Sequence, residues 1–292
     1  MKIHTECVPC LLKRIVFEAE HSTKNKKLQE ETLKKACQLL AELYDPNSCS
    51  ASIATKVHKV AYETLGDKDP YKDLKMKSNR IAQSLVPIAK DFISKSSNPL
   101  KTAILCSIIG NMMDFGIEGG SERPEDLTKI FNKYIEEGLG YDDYDKLLNI
   151  LKKSKKVLLF TDNCGEIVFD KILCQELKKM FPNIFLTLVV KGEDILSDAT
   201  VDEAVELGFD EVVDEILTTG CFAVGVDFDR MPEVLKKSLD GADLIICKGM
   251  ANFESFSETD YHPIAYLLRT KCRPIANSIG LPKNISGIKV FE

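Results

Sequence analysis

Three clusters of polar side chains each follow a short apolar run in the second half of the chain. They are Asp162, Asn163 and Glu166 after residues 157–160, Asp198 after residues 184–190, and Lys248, Gly249 and Asn252 after residues 243–247. Carboxylate and carboxamide oxygens are the ligands that hard divalent cations such as Mg²⁺ and Mn²⁺ prefer. A lysine beside such a site can bind a phosphoryl group and offset its charge as a bond breaks. These residue types predict metal-assisted phosphoryl chemistry.

Each cluster also has a simpler interpretation. An Asp or Asn after a strand often caps the next helix, so Asp162 or Asn163 could cap a helix from Ile167. In the same way, Asp198 could cap a helix from Val201, and a lysine at a strand end is usually solvated. Convergence of the strand ends at one edge of a parallel sheet favours a shared site.

A fourth polar insertion lies in the first half of the chain, in the segment "IIGNMMDFG". Asn111 and Asp114 interrupt an apolar run there, and their spacing of three residues places both on one face of a helix. We expect this face to cover the site formed by the other three clusters. The alternatives are a buried hydrogen-bonded pair or the end of a helix at Gly116.

Helical periodicity dominates the first half of the chain. Apolar side chains recur at helical spacing within residues 33–43 and 53–65, with charged residues on the opposite faces. Further helices are predicted at residues 71–94, with Pro87 as a kink or break, and at residues 100–115, 121–138 and 144–156. Residues 1–150 are therefore predicted to form an all-α domain.

Short apolar runs alternate with helical segments in the second half. The predicted strands are residues 157–160, 184–190, 243–247, 273–276 and 288–291. The predicted helices are residues 167–180, 201–207, 232–239 and 262–269. This alternation predicts an α/β domain over residues 151–292, with a mostly parallel sheet covered by helices on both faces. Ligands of such sheets bind at the carboxyl ends of the strands.

Composition and charge restrict the classes of partner. The chain has 292 residues and a net charge of −6, which argues against a nucleic acid partner. The first apolar patch is interrupted by Lys13 and Arg14, and no apolar run approaches the roughly 20 residues of a membrane helix. We expect a cytoplasmic protein without a membrane partner. The ten cysteines are scattered through apolar segments, which favours buried thiols over disulfides.

The motifs "TDNCGEIVFDK", "SDAT", "GNMMDFG" and "CKGMANFES", with "CVPC" in a helical N-terminal part, resemble the metal-dependent damage-control phosphatases. That family was long catalogued as a domain of unknown function, and the similarity covers essentially the whole chain. The resemblance implies a helical domain before a Rossmann-like three-layer α/β/α domain. It also implies hydrolysis of phosphate monoesters, such as sugar phosphates or damaged phosphometabolites, with Mn²⁺, Ni²⁺, Co²⁺ or Mg²⁺.

The resemblance assigns roles to residues of this chain. Asp162, Asn163 and Asp198 correspond to the metal ligands, and Lys248 corresponds to the residue that holds the phosphate. The pocket would be lined by Glu166, Asn111, Asp114, Gly249 and Asn252. We expect in-line hydrolysis with the metal ion as Lewis acid and with Asp198 or Glu166 orienting the water. Direct attack by Asp162 is the rival mechanism.

The chain departs from the pattern of this family at a few positions. Relatives commonly have Asn at the position of Ser197, Gly at that of Ala251, and a small apolar residue at that of Cys164. The changes near the phosphate loop could alter substrate fit, and we expect the Cys164 thiol to be inert.

The pair Cys7 and Cys10 marks the branch of the family that carries CxxC. A structural zinc ion needs four ligands, and only His4 and Cys272 suggest themselves as further ones. We therefore favour buried thiols for this pair.

Two other functions stay open at the level of sequence. A methyltransferase that uses an adenosyl cofactor would need a glycine-rich turn after its first strand, whereas "TDNCGE" has one glycine. A non-catalytic module that senses a metal ion or a nucleotide is the second alternative.

Overall fold

The computed structural model describes residues 1–111 and 124–292, so Asp114 lies outside the described residues. The N-terminal part consists of α1 (Cys7–Ser22), α2 (Lys26–Leu43), α3 (Ser50–Leu65), α4 (Lys72–Lys95), α5 (Pro99–Gly110) and α6 (Pro124–Glu137). The prediction of helices here is confirmed, and α4 continues through Pro87. Among the described residues, no helix combines the length and the apolar character needed to cross a membrane.

Strands and helices alternate after α6. They are β1 (Tyr141–Asp142), α7 (Tyr144–Leu151), β2 (Lys156–Phe160), α8 (Glu166–Met180), β3 (Phe185–Val190), α9 (Val201–Glu206), β4 (Glu215–Thr218), α10 (Glu233–Asp240), β5 (Leu244–Lys248), α11 (Gly249–Phe256), β6 (Ile264–Arg269), α12 (Arg273–Ile279) and β7 (Ser286–Phe291). The strand order is β1-β7-β6-β5-β2-β3-β4, and only the β6–β7 pairing is antiparallel. The predicted α/β class with a mostly parallel sheet is confirmed.

The strand order creates a crevice at the carboxyl end of β2. From β2 the chain first winds to β3 and β4 on one side, and it then returns to β5 on the other side. Strand order reverses between β2 and β5, and ligands of doubly wound sheets bind at such a switch point. The polar residues after β2 and β5 therefore flank the position where a ligand site is expected.

Side chains of β2 alternate between two hydrophobic cores because successive residues of a strand point to opposite faces. Val157 and Leu159 belong to one core, which also contains residues of α4, α5, α6, α7 and α8. Leu158 and Phe160 belong to a second core with residues of α10, α11 and α12. Helices thus cover both faces of the sheet. The first core crosses the domain boundary predicted at residue 150, and that boundary stays a prediction.

Two predicted elements near the C-terminus are wrong. Residues 262–269, predicted as a helix, contain the strand β6, and residues 273–276, predicted as a strand, begin the helix α12. The run of β6 is apolar at consecutive positions because both of its faces are buried, so it lacks the alternation that distinguishes a half-buried strand. Pro274, in the first turn of α12, is a helix-start signal.

Candidate active site

Asp162, Asn163 and Asp198 are not helix caps, so the capping interpretation is wrong. Gly165 precedes α8, which has no side-chain cap, and Thr200 caps α9. The Oδ2 atom of Asp162 instead accepts a hydrogen bond from the side-chain amide of Asn163 at 2.7 Å. None of the three side chains is therefore committed to a helix N-terminus.

The loops after β2 and β3 are joined along their backbones. Asn163 and Asp198 form an isolated β-bridge, and the backbone N–H of Ala199 donates to the carbonyl of Asp162 at 2.9 Å. The hydroxyl of Ser197 donates to Asn163 Oδ1 at 2.6 Å, which fixes the orientation of that amide. The structure thus brings the three predicted metal ligands together. Ser197, which stands where relatives commonly have Asn, contacts one of these ligands directly.

Asp198 has a carboxylate oxygen that is buried without a hydrogen bond. Its Oδ2 atom lies 3.3 Å from Lys191 Nζ as an ion pair, but no hydrogen bond of good geometry reaches it. Burial raises the pKa of Asp198, and Lys191 offsets part of this increase. A buried carboxylate oxygen of this kind is costly unless a cation or donor satisfies it.

Asn111 reaches the same cluster from the end of α5. Its side-chain amide donates to Asp162 Oδ2 at 2.6 Å and to Glu166 Oε2 at 2.5 Å. The backbone carbonyl of Asn111 accepts a hydrogen bond from Lys271 Nζ at 2.5 Å. The predicted contact between this helical segment and the α/β site is therefore present at Asn111.

Lys248 is a buried counter-ion, which differs from the predicted role of holding phosphate. Its side chain is 0% exposed, and Nζ contacts Glu166 Oε1, Asp170 Oδ1 at 2.8 Å and the carbonyl of Ser107 at 3.4 Å. An ammonium group has three N–H donors, so each of them has a protein partner. Burial raises the pKa of Asp170 to about 6, although Lys248 opposes this.

The buried charges of this cluster do not balance. They are the carboxylates of Asp162, Glu166, Asp170 and Asp198 and the ammonium groups of Lys191 and Lys248. Full ionisation leaves an excess of two negative charges. Burial, Asp198 and Glu166 raise the pKa of Asp162 well above its ordinary value. A divalent cation carries the charge that would balance the cluster. The carboxylates of Asp162 and Asp198 and the carboxamide of Asn163 are donors that suit such an ion.

Gly249 and Asn252 shape the floor of the site. Gly249 has a φ of +71°, and a Cβ atom there would lie 1.9 Å from Asp162 Oδ2, so only glycine lets β5 turn into α11 this close to the carboxylate. Asn252 donates to the carbonyls of Thr161 at 2.9 Å and Lys248 at 2.8 Å. Its side chain therefore joins the carboxyl end of β5 to the residue after β2.

Two cations near the site, Lys271 and Arg14, are not predicted as site residues from the sequence. Lys271 is accessible to solvent, yet surrounding protein lowers its pKa, and Asp162 and Glu166 oppose that effect. Arg14 interacts with Tyr71, and its charge opposes the rise in the pKa of Asp198 that burial causes. Arg14 lies in α1 and Lys271 follows β6, and apart from their charge neither residue carries a sequence signal for this position.

Comparison with known proteins shows the family of this chain. The family model described as "Damage-control phosphatase ARMT1-like domain" matches residues 3–285. The chain belongs to this family. It is 38% identical to a damage-control phosphatase of Archaeoglobus fulgidus over the full length of both chains. It is 31% identical to a damage-control phosphatase of Pyrococcus horikoshii, covering 97% of this chain and 96% of the relative.

A solved structure has the same fold. The crystal structure of a DUF89 family protein from Pyrococcus horikoshii superposes with a TM-score of 0.91 at 30% identity, covering 100% of both chains. The fold of this member of the damage-control phosphatase family is therefore that of a solved relative throughout.

The family's CxxC pair is not buried in this member, so the prediction of buried thiols is wrong for it. Cys10 is exposed and Cys7 is half-buried at the start of α1. Within residues 1–111 and 124–292, no group of three or more His, Cys, Asp or Glu side chains is arranged to hold a metal ion. Cys164 is buried, and burial raises the pKa of its thiol well above the ordinary value, which makes it unreactive.

Proposed function

We propose that this family member is a divalent-metal-dependent phosphatase that hydrolyses phosphate monoesters of small metabolites, such as sugar phosphates or damaged phosphometabolites. The observation that carries the proposal is the excess of buried negative charge around Asp162 and Asp198. The names of the Archaeoglobus and Pyrococcus relatives support the phosphatase activity. The metal dependence rests on the charges and donor atoms of the site.

Asp162, Asn163 and Asp198 would hold the cation. The proposed ions are Mn²⁺, Ni²⁺, Co²⁺ and Mg²⁺, of which Mg²⁺ and Mn²⁺ suit an all-oxygen donor set best. When bound, the ion would supply Lewis-acid polarisation of the phosphoryl group. Lys191 and Lys248 would keep the remaining carboxylates ionised, because an opposite charge nearby favours the charged form.

Of the two carboxylates that could orient the attacking water, Asp198 fits better. Both oxygens of Glu166 already accept hydrogen bonds, from Lys248 and from Asn111. Asp198 Oδ2 has the ion pair with Lys191 at 3.3 Å but accepts no hydrogen bond of good geometry, so it can accept one from water. Asp162 is the less suitable nucleophile, because its Oδ2 atom accepts hydrogen bonds from two amides.

Lys271 and Arg14 are the cations placed to bind the substrate phosphate. Lys248 has no free donor and is 0% exposed, whereas Lys271 reaches solvent and interacts electrostatically with Asp162 and Glu166. A phosphate at the mouth of the site would contact Lys271 without displacing a buried ion pair. Charge-assisted hydrogen bonds of this kind are stronger than neutral ones.

Lys271→Met is expected to raise KM for a phosphate ester about tenfold or more, because a hydrogen bond to a charged group contributes about 1.5–3 kcal/mol. Steady-state kinetics with 4-nitrophenyl phosphate would measure the change. Arg273→Met is the matched control, since this cation is 70% exposed and pairs with Glu6 instead. An unchanged KM in Lys271→Met would contradict the assignment.

The function itself is tested by removing and restoring the metal ion. Protein treated with a chelator is expected to hydrolyse no member of a panel of sugar phosphates and metabolite esters, and added Mn²⁺ is expected to restore turnover. Equal activity before and after chelation would contradict metal dependence. Tight Mn²⁺ binding without turnover would favour the sensing module, and calorimetric binding of the methyl donor would favour the methyltransferase.

A further inference from the structure

A buried lysine of α4 contacts the loop that carries Asp198. Lys75 is 2% exposed, and its Nζ atom lies 2.5 Å from Asp194 Oδ1, 3.3 Å from Glu203 Oε1 and 2.9 Å from Asp69 Oδ2. Asp194 precedes Asp198 in the loop after β3, and Glu203 follows it in α9. The lysine therefore holds both sides of the segment that presents Asp198.

Asn79 lies one helical turn after Lys75 and contacts the other loop. Its Oδ1 atom accepts a hydrogen bond from the backbone N–H of Gly165 at 2.6 Å. Gly165 has a φ of +83° and lies two residues after Asn163. A single face of α4 thus contacts the loops after β2 and β3.

Tyr62 of α3 makes a third contact from the helical part. Its hydroxyl accepts a hydrogen bond from the backbone N–H of Leu196 at 3.0 Å. Leu196 has a φ of +51°, which is unusual for a residue with a branched side chain and persists only where the surroundings enforce it. The tyrosine therefore fixes a strained residue two positions before Asp198.

We propose that Tyr62, Lys75 and Asn79 are positioning residues that hold the two loops in the geometry that receives the divalent cation. This inference rests on the proposed metal dependence. The carboxylates of Asp162 and Asp198 repel each other before the ion binds, and the three contacts add to the backbone hydrogen bonds that oppose this repulsion between the loops. A site that is held in place in advance binds its ligand more tightly, because less free energy is spent on ordering it.

The experiment compares two substitutions, each of which removes one negative charge that pairs with Lys75. Asp194→Asn weakens the contact of Lys75 with the loop that carries Asp198. Asp69→Asn weakens its contact with the segment between α3 and α4, which is not part of either loop. Residues that orient metal ligands typically change affinity by about 10–100-fold. Calorimetric titration of the full chain with Mn²⁺ is expected to show about tenfold weaker binding for Asp194→Asn and a change below about threefold for Asp69→Asn.

Two further variants test the hydrogen bonds, and they remain informative if an aspartate variant fails to fold. Asn79→Leu and Tyr62→Phe are expected to weaken Mn²⁺ binding and to raise the Mn²⁺ concentration needed for half-maximal activity. The turnover at saturating Mn²⁺ is expected to stay unchanged, because the contacts do not touch the substrate. Asn79→Asp, which keeps the acceptor oxygen, is expected to bind Mn²⁺ at least as tightly as the wild type.

The outcomes separate this inference from the proposed function. Wild-type affinity in Asp194→Asn, Asn79→Leu and Tyr62→Phe would overturn the positioning role and leave the phosphatase proposal intact. Equal weakening by Asp69→Asn and Asp194→Asn would show a general charge effect and would also overturn it. A wild-type protein that binds no Mn²⁺ would overturn the positioning role together with the metal dependence.

Discussion

Asp162→Asn is expected to lower phosphatase activity by about 10³-fold and to abolish Mn²⁺ binding, while it makes the metal-free protein more stable. The substitution removes one charge from a cluster of four buried carboxylates and two buried lysines, which carries an excess of two negative charges when fully ionised. The shape of the side chain is kept, and its oxygen can still accept from Asn111 and Asn163. A buried charge without a full complement of partners is costly, so its replacement by a neutral group of similar shape is expected to stabilise the metal-free protein.

The gain in stability is expected to depend on pH with a defined sign. Burial and the neighbouring carboxylates raise the pKa of Asp162 in the folded protein. Near pH 4 and below, the side chain is protonated in the folded state, so the wild type and Asp162→Asn have similar stability. As pH rises, the unfolded chain releases its proton first, and the folded wild type then loses stability relative to the variant.

Denaturant unfolding of both metal-free proteins at pH 5 and at pH 8 would measure this difference. Asp145→Asn is the control, because this carboxylate is exposed on α7 and its loss should change stability by about 0.5 kcal/mol or less. Two results would contradict the assignment of Asp162 to a cation site. One is full activity of Asp162→Asn, and the other is a variant that becomes less stable than the wild type as pH rises.

The sequence predicts that Asp162, Asn163 and Asp198 lie close together because they follow strand ends, and the structure joins their loops. Asp162 and Asn163 come just after β2, and Asp198 lies in the loop after β3. Parallel strands bring their carboxyl ends to one edge whatever the detailed packing. β6 was mistaken for a helix because a strand buried on both faces loses its alternation. β4 was missed because Glu215–Thr218 is an edge strand whose side chains are only half-buried.

The contacts that complete the site depend on distant parts of the chain. Lys248 meets Asp170 and Ser107 only because α5 and α8 pack against the same face of the sheet. Its position at a strand end carries no sign of this burial, so a solvated lysine and a buried counter-ion look alike in sequence. Lys75 and Lys271 likewise contact Asp194 and Asn111, which are more than a hundred residues away in the chain.

Gly249→Ala is expected to lower activity by about 100-fold or more, because displacement of a catalytic group by about 1 Å has effects of this size. The new Cβ atom would lie 1.9 Å from Asp162 Oδ2 and 2.3 Å from its Cγ atom, so either the carboxylate or the start of α11 must move. The positive φ of +71° adds a backbone penalty of about 1 kcal/mol for alanine. Mn²⁺ affinity should fall together with activity.

Gly66→Ala separates the backbone penalty from the collision. Gly66 also has a positive φ, +68°, but a Cβ atom there would meet no atom within 4 Å. We expect Gly66→Ala to lose about 1 kcal/mol of stability and to keep its activity and Mn²⁺ affinity, as measured by denaturant unfolding, kinetics and calorimetry. If both alanine variants retained wild-type activity, the close approach of α11 to Asp162 would have no part in catalysis. If only Gly249→Ala lost Mn²⁺ binding, the absence of a side chain at this turn would be a requirement of the cation site itself.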